Sequence, residues 1–428
     1  MTHFSYHAGA LCAEKVPLSD IARQFGTPAY VYSKAALLEN YASYADACQQ
    51  YGPANSPALV CFAVKSNSNL AVLNLLARQG AGFDIVSGGE LQRVIAAGGD
   101  PKKVLFSGVG KTVDDIRLAL THDILCFNVE SEGELQRISA VAGQMGKQAP
   151  ISFRVNPDVD AQTHPYISTG LQENKFGIPF PDVLRCYRTA ATMPNIRILG
   201  IDCHIGSQLL DDAPLLDALD KMIGLIDQLN HEGYNLQHLD IGGGLGIAYR
   251  DDERPVKVQD YIKRLYAKVN DWRLHQYQGR PIKIIFEPGR SIVGNAGLLL
   301  TEVQYLKSSP VKNFAVVDAA MNDLMRPAMY EAWHRVLPAT QRTAPPKTWD
   351  VVGPICESGD WLARERALAI EPGDLLAIMS AGAYGMTMSS NYNSRGRAVE
   401  VMVDGDRMHL IRKREQVPDL YALESILP

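Results

Sequence analysis

Short apolar runs of five to eight residues recur along the first two thirds of the chain, each followed by a stretch with helical spacing. The runs are ALVCFAV (58–64), GFDIVS (82–87), KVLFS (103–107), ILCFNV (124–129), ISFRVN (151–156), ILGIDCHI (198–205), LQHLDIG (236–242) and IKIIFE (282–287). Between them, segments such as LAVLNLLARQG, GELQRVIAAG, TVDDIRLAL and LLDALDKMIGLIDQLNHEG set apolar residues three and four apart, the spacing of an amphipathic helix. Alternating β and α elements predict a parallel sheet. Eight such units over roughly 250 residues match a (β/α)8 barrel; counting alone leaves an open doubly wound sheet as the alternative.

After about residue 290 the rhythm changes. LLLTEVQYLK, NFAVVDA, TWDVVGP, DLLAIMS, RAVEVMVDGD and RMHLIRK read as strands joined by turns bearing Gly and Pro, with little helix until the end. This predicts a second, mainly antiparallel β domain over 291–428, following a barrel over 36–290. PAYVYS (28–33) is a strand ahead of the first barrel unit, so the segment 1–35 is expected to join that β domain.

The stretch FAVKSNSN (62–69) poses the chemical question. An apolar strand runs into Lys65 just where the chain turns polar and then helical. A solvated strand end explains one lysine. The ends of the other strands hold Asp84 with Ser87, Arg154 and Asn156, His204 with Ser207, Gly242 to Gly244, and Glu287 with Arg290. In a barrel those positions surround the site of chemistry.

Composition narrows the classes. Charged residues make up 21% and the net charge is -5, which argues against nucleic acid or an anionic membrane as the main partner. Seven cysteines without a C-x-x-C pair fit free thiols in a reducing compartment better than a disulfide framework or a metal site. The first 20 residues lack a basic n-region, and no apolar run approaches the ~20 residues of a membrane span. A cytoplasmic protein is expected. Two motifs are decoys: GVGKT (108–112) has Leu105 where a P-loop needs glycine, and GGGLG (242–246) has Ile247 where a dinucleotide fingerprint needs its third glycine.

GGGLG still offers successive backbone N–H groups to an anion, and serves equally as a tight strand-to-helix turn. A lysine desolvated at a barrel mouth has a lowered pKa and attacks carbonyls. Lysine plus anion loop suggests pyridoxal phosphate held as a Schiff base, with Glu287 keeping the pyridine nitrogen protonated. Glu287 as an ordinary surface acid fits the Pro288-Gly289 turn as well.

FAVKSNSN, FDIVSGGEL, CHIGSQ, LDIGGGLGI, FEPGR, MNDLMRPAMY, CESGD and GAYGMTMSSNYNSR occur in that order. Together they resemble the diaminopimelate decarboxylase family, fold-type III enzymes dependent on pyridoxal 5'-phosphate, from about residue 25 to the C-terminus. The resemblance implies an alanine-racemase-like barrel with a β domain. It implies that Lys65 carries the cofactor and His204 stacks on its ring. Ser207, Gly243, Gly244 and Gly289 fall at cofactor-binding positions, Glu287 is similar to the pyridinium partner, and Asp84 is an acid near the cofactor. Arg290 matches a position that faces phosphate or substrate. Cys356 resembles a proton donor supplied across a homodimer interface. Arg326, Tyr330, Glu357 and Tyr384 match substrate-binding positions, Tyr384 close to the phosphate as well. Left to their residue types, His204 and Cys356 are ordinary core residues, and Arg326 and Glu357 pair with each other or with structural carboxylates.

The expected reaction is decarboxylation of meso-2,6-diaminopimelate to L-lysine. Arginine suits a distal carboxylate and Glu357 a distal ammonium. The alternatives are a decarboxylase of ornithine, arginine or a carboxylated polyamine, and a non-catalytic regulator on the same scaffold.

Overall fold

The eight apolar runs are eight strands in the computed structural model, which describes residues 3–160 and 174–428. They are β1 (Leu59–Ala63), β2 (Gly82–Ile85), β3 (Val104–Phe106), β4 (Cys126–Val129), β5 (Ala149–Asn156), β6 (Ile196–Cys203), β7 (His238–Asp240) and β8 (Lys283–Phe286). All pair in parallel, in the order β5-β6-β7-β8-β1-β2-β3-β4, and β4 pairs back onto β5 to close a barrel. The open sheet is thereby excluded. Helices follow where the spacing predicts them: α1 (Leu70–Arg78), α2 (Gly88–Ala96), α3 (Val113–Thr121), α4 (Glu132–Gln144), α5 (Val183–Ala191), α6 (Ala213–His231) and α7 (Val258–His275).

Four of these helices start on side-chain caps. Asn69, Ser87, Thr112 and Ser131 each accept from a backbone N–H in the first turn, contributing about 1 kcal/mol apiece. Thr112 is thus a cap, and its neighbour Lys111 is buried. The Lys111 Nζ donates to Gly108 O, Asn128 O and Glu134 Oε1, so GVGKT is a structural turn.

Register sets up the chemistry. Asp202 on β6 stands directly opposite Asp240 on β7 and Arg154 on β5, and Asp84 on β2 stands opposite Ala63 on β1. Opposite residues of parallel strands point to the same face, so three charged side chains share one row. The expectation that β1 ends on Lys65 needs correcting. The strand stops at Ala63, and Lys65 sits on a 3-10 turn, Val64–Ser66, pinned by a Ser66 Oγ bond to Ala63 O.

The described residues divide into two units: Tyr41–Ile247 with Arg254–Ser291, and Met1–Asn40 with Ala248–Glu253 and Ile292–Pro428. The short excursion Ala248–Glu253 has no sequence signal. The second unit is built on a nine-stranded sheet. Its strand Ala29–Ser33, within PAYVYS, pairs antiparallel with Gly297–Ser308 and parallel with Val399–Asp404. Tyr30 and Tyr32 enter one apolar cluster, Ala29 and Val31 another, so both faces of this strand are covered. Each tyrosine hydroxyl donates, to Asp323 O and Glu400 Oε1 respectively, which satisfies its burial. The sequence reading misses the strand Trp361–Leu368, an edge strand whose run Arg364, Glu365, Arg366 hides its apolar residues.

Candidate active site

Nine of the residues singled out from sequence lie at the C-terminal ends of barrel strands or in the turns just beyond. Lys65 Nζ donates to Asp84 Oδ2 at 2.6 Å, and Asp84 is fully buried. The lysine side chain is 36% exposed and ion-paired, so the desolvated amine expected from the sequence is corrected to a partly exposed one held by a carboxylate. Asp84 Oδ1 has no hydrogen-bond partner among the described residues.

The glycine loop after β7 folds against two site residues. A Cβ on Gly243 would stand 2.2 Å from Glu287 O, and Gly244 has φ +108, so neither position admits a side chain without rearrangement. The Gly243 N–H donates to His204 Nδ1 at 3.2 Å. With Nδ1 accepting, the ring proton is on Nε2. Burial, reinforced by Arg154 and Lys65, holds the His204 pKa well below the ordinary value, so the ring is neutral and flat-faced. Arg290 Nη2 donates to Ser207 Oγ at 3.0 Å, which places this arginine beside a residue of the anion set. Gly289 packs against Ser66 and Ala63, where a Cβ would come within 3.1 Å of each.

Glu287 is no surface acid: it is 5% exposed, and its Oε1 lacks a partner among the described residues. Asp202 Oδ1 and Asp240 Oδ2 are equally bare, and one carboxyl oxygen from each of the three lies within 4.8 Å of the others. Two carboxylates at that separation repel by about 3 kcal/mol even at an effective dielectric near 20, several times thermal energy. Burial, then the neighbouring charges, pushes Asp202 and Glu287 well above the carboxylate range, and Asp240 up to about 7. Burial likewise raises Glu90, on α2, to about 7.

Sequence reasoning gave no role to Asp202, Asp240, Glu130 or Glu90. A charged residue inside an otherwise apolar strand, as in ILGIDCHI and LQHLDIG, was the available signal. Arg154 lies near the end of β5. It bonds Glu130 at 3.1 Å, and Glu130 also accepts from Gly108 N and Gly177 N. Ser87 serves as the cap of α2.

The remaining predicted residues belong to the second unit. Arg326 opens a short helix (Arg326–Tyr330), is buried, and lies over the Tyr249 ring at 4.7 Å. Its Nη1 donates to His334 Nε2 at 2.8 Å, while His334 Nδ1 donates to Met379 O at 2.8 Å. Tyr330 ends that helix, half-buried. Tyr384 holds φ +55, an uncommon backbone state for a tyrosine and one that clusters at functional sites. Cys356 is exposed whereas the other six cysteines are buried, so it is not a core residue. Glu357 accepts from Tyr392 and makes no ion pair among the described residues.

The barrel end fits pyridoxal 5'-phosphate. It presents an amine, a neutral flat ring, a close-packed glycine loop with Ser207 and Arg290, and bare acid oxygens suited to a pyridinium N–H. Comparison with known proteins agrees. Residues 41–294 match the family described as pyridoxal-dependent decarboxylase, pyridoxal binding domain. The diaminopimelate decarboxylase of Pseudomonas aeruginosa is 58% identical over the full length of both chains. The Helicobacter pylori diaminopimelate decarboxylase complexed with L-lysine is 40% identical, covering 95% of this chain and 99% of that one, with TM-score 0.88. That of M. jannaschii, also with L-lysine, is 37% identical over 99% and 98%, with TM-score 0.94. No helix among the described residues is long and apolar enough to cross a membrane. Barrel, strand-end chemistry and full-length likeness converge, and the chain belongs to the diaminopimelate decarboxylase family of pyridoxal-dependent enzymes.

Proposed function

We propose that this protein removes CO2 from the D-configured end of meso-2,6-diaminopimelate, leaving L-lysine, and works in the cytoplasm as a homodimer with shared active sites. The observation that carries the reading is the barrel end: Lys65 on Asp84, neutral His204 on the glycine loop, Arg290 on Ser207, and Glu287 buried with a bare oxygen. The lysine complexes of two relatives are consistent with the product.

Bound pyridoxal 5'-phosphate supplies the electron sink that lets a Cα–carboxylate bond break. The chain's residues do the rest. Lys65 carries the cofactor, and Asp84 fixes the amine between turnovers. Ser207, Gly243, Gly244, Gly289 and Arg290 hold the phosphate, with Tyr384 close by. His204 would stack its flat face on the cofactor ring, and because it is neutral it would add no positive charge to oppose protonation of the ring nitrogen. Glu287 meets the ring nitrogen.

Arg326 clamps the distal carboxylate, Tyr330 and Tyr384 orient the substrate, and Glu357 accepts from the distal ammonium. Cys356, exposed on its own subunit, delivers a proton to Cα in the partner's site. Ornithine carries only an ammonium at that distance, which Arg326 would repel. The test is CO2 release by the cofactor-loaded protein from meso-2,6-diaminopimelate, with ornithine and arginine alongside. Release from diaminopimelate alone is expected; release from ornithine would overturn the assignment of Arg326 and Glu357.

A further inference from the structure

The barrel end has more acid than it has cation to match. Lys65, Arg154 and Arg290 are cations at this end; the first two are ion-paired with Asp84 and Glu130, and Arg290 donates to Ser207. Asp202, Asp240 and Glu287 remain, on three adjacent strands or their ends, all buried. The other titratable groups packed here add no cation: His204 is neutral, and burial holds the Cys61 and Cys203 thiols neutral as well.

Asp240 cannot turn away. Its Oδ1 accepts from Gly242 N–H at 2.9 Å, capping the glycine loop, which leaves Oδ2 as the free oxygen. The Glu287 main chain is anchored beside it, its N–H bonded to Gly242 O at 2.8 Å, and its carboxyl reaches within 4.8 Å of those of Asp240 and Asp202. Two acceptors held this way repel, unless one of them keeps a proton. The proton then turns the repulsion into a hydrogen bond and satisfies both bare atoms at once.

We propose that Asp202, Asp240 and Glu287 act as one buried acid that keeps a shared proton in the cofactor-free chain, and that Glu287 surrenders it when the ring nitrogen docks. Asp240 is thereby a positioning residue for the charge on Glu287. The step balances: the O–H bond of the acid breaks, an N–H bond forms at the ring, and nothing is oxidised or reduced. A nitrogen that arrives protonated sends the acid's proton to solvent instead. The inference rests on the reading of Glu287 as the ring's partner, and deepens it.

The test is infrared spectroscopy of the full-length, cofactor-free protein near neutral pH. Wild type minus Asp240→Asn should show the C=O stretch of a protonated carboxyl, shifted in D2O, because asparagine keeps the Gly242 cap but donates to Glu287 and lets it ionise. Adding pyridoxal 5'-phosphate to wild type should abolish the band. Asp202→Asn, which removes one like charge from the row, should lower the pH midpoint of the band by about one unit; it also serves if the Asp240 variant does not fold. Absence of any such band in the free protein overturns the proposal. A band that persists in protein shown by mass to carry the cofactor leaves the shared proton standing, and overturns both the hand-over and the role of Glu287.

Discussion

The two ends of the barrel interior are made by the same eight strands, often only one inward position apart. Toward the strand starts the interior is Cys61, Leu105, Cys126, Leu199 and Ile285, all buried and apolar. Toward the strand ends it is Asp84, Arg154, Asp202, Asp240 and Glu287, just as buried, with bare oxygens on four of them. Ile285 and Glu287 lie two residues apart on one run. Burial at the first end stabilises the fold through transfer of apolar surface. At the second it costs desolvation that ion pairs only partly offset. Such a layer is expected where function, rather than stability, selects the residues.

Substitutions at the two ends should therefore fail in different ways. The largest effect is expected from Lys65→Arg, which keeps a cation beside the buried Asp84 but cannot anchor the cofactor: a loss of turnover of about 10³-fold or more, with the thermal transition of the cofactor-free protein little changed. Leu105→Ala, at the other end, should show the converse. It should cost about 2–5 kcal/mol of stability in denaturant titration, while the folded fraction retains its cofactor affinity. Cys356→Ala lies outside the barrel and should slow turnover about 10²-fold with cofactor loading intact; unchanged turnover would remove its role as donor.

The smallest and most diagnostic effect is on pH dependence. Asp240 has a folded pKa of about 7 against 3.8 unfolded, and Glu90 about 7 against 4.5. Over that window the folded chain binds more protons than the unfolded one, so these groups make stability fall as pH rises from about 4 to 7. Denaturation midpoints of the cofactor-free protein across the window should decline less for Asp240→Asn than for wild type. Parallel curves would remove Asp240 from the account.

Much of this was legible in the sequence because it is written in short periods. The barrel follows from eight apolar runs and their helices, and the positions of Lys65, Glu287 and the glycine loop from where those runs stop. What escaped depends on pairing across the sheet. Asp202 and Asp240 are 38 residues apart in the chain, and only the β6–β7 register makes them neighbours. The His334 contact that orients Arg326 lacks any motif, and the strand Trp361–Leu368 hides behind the charges of an exposed edge. The pairing of Lys65 with Asp84 is likewise invisible to any spacing rule, because it joins two residues 19 apart in the chain.

The most direct test of the central claim, that the charged end of the barrel is the cofactor site and Lys65 its anchor, is to load the protein with pyridoxal 5'-phosphate, reduce with borohydride, digest and weigh the peptides. The added mass should fall on the peptide containing Lys65, at one equivalent per chain, and be absent from Lys65→Ala. A stoichiometric adduct on any other lysine, with Lys65 unmodified, would contradict the account.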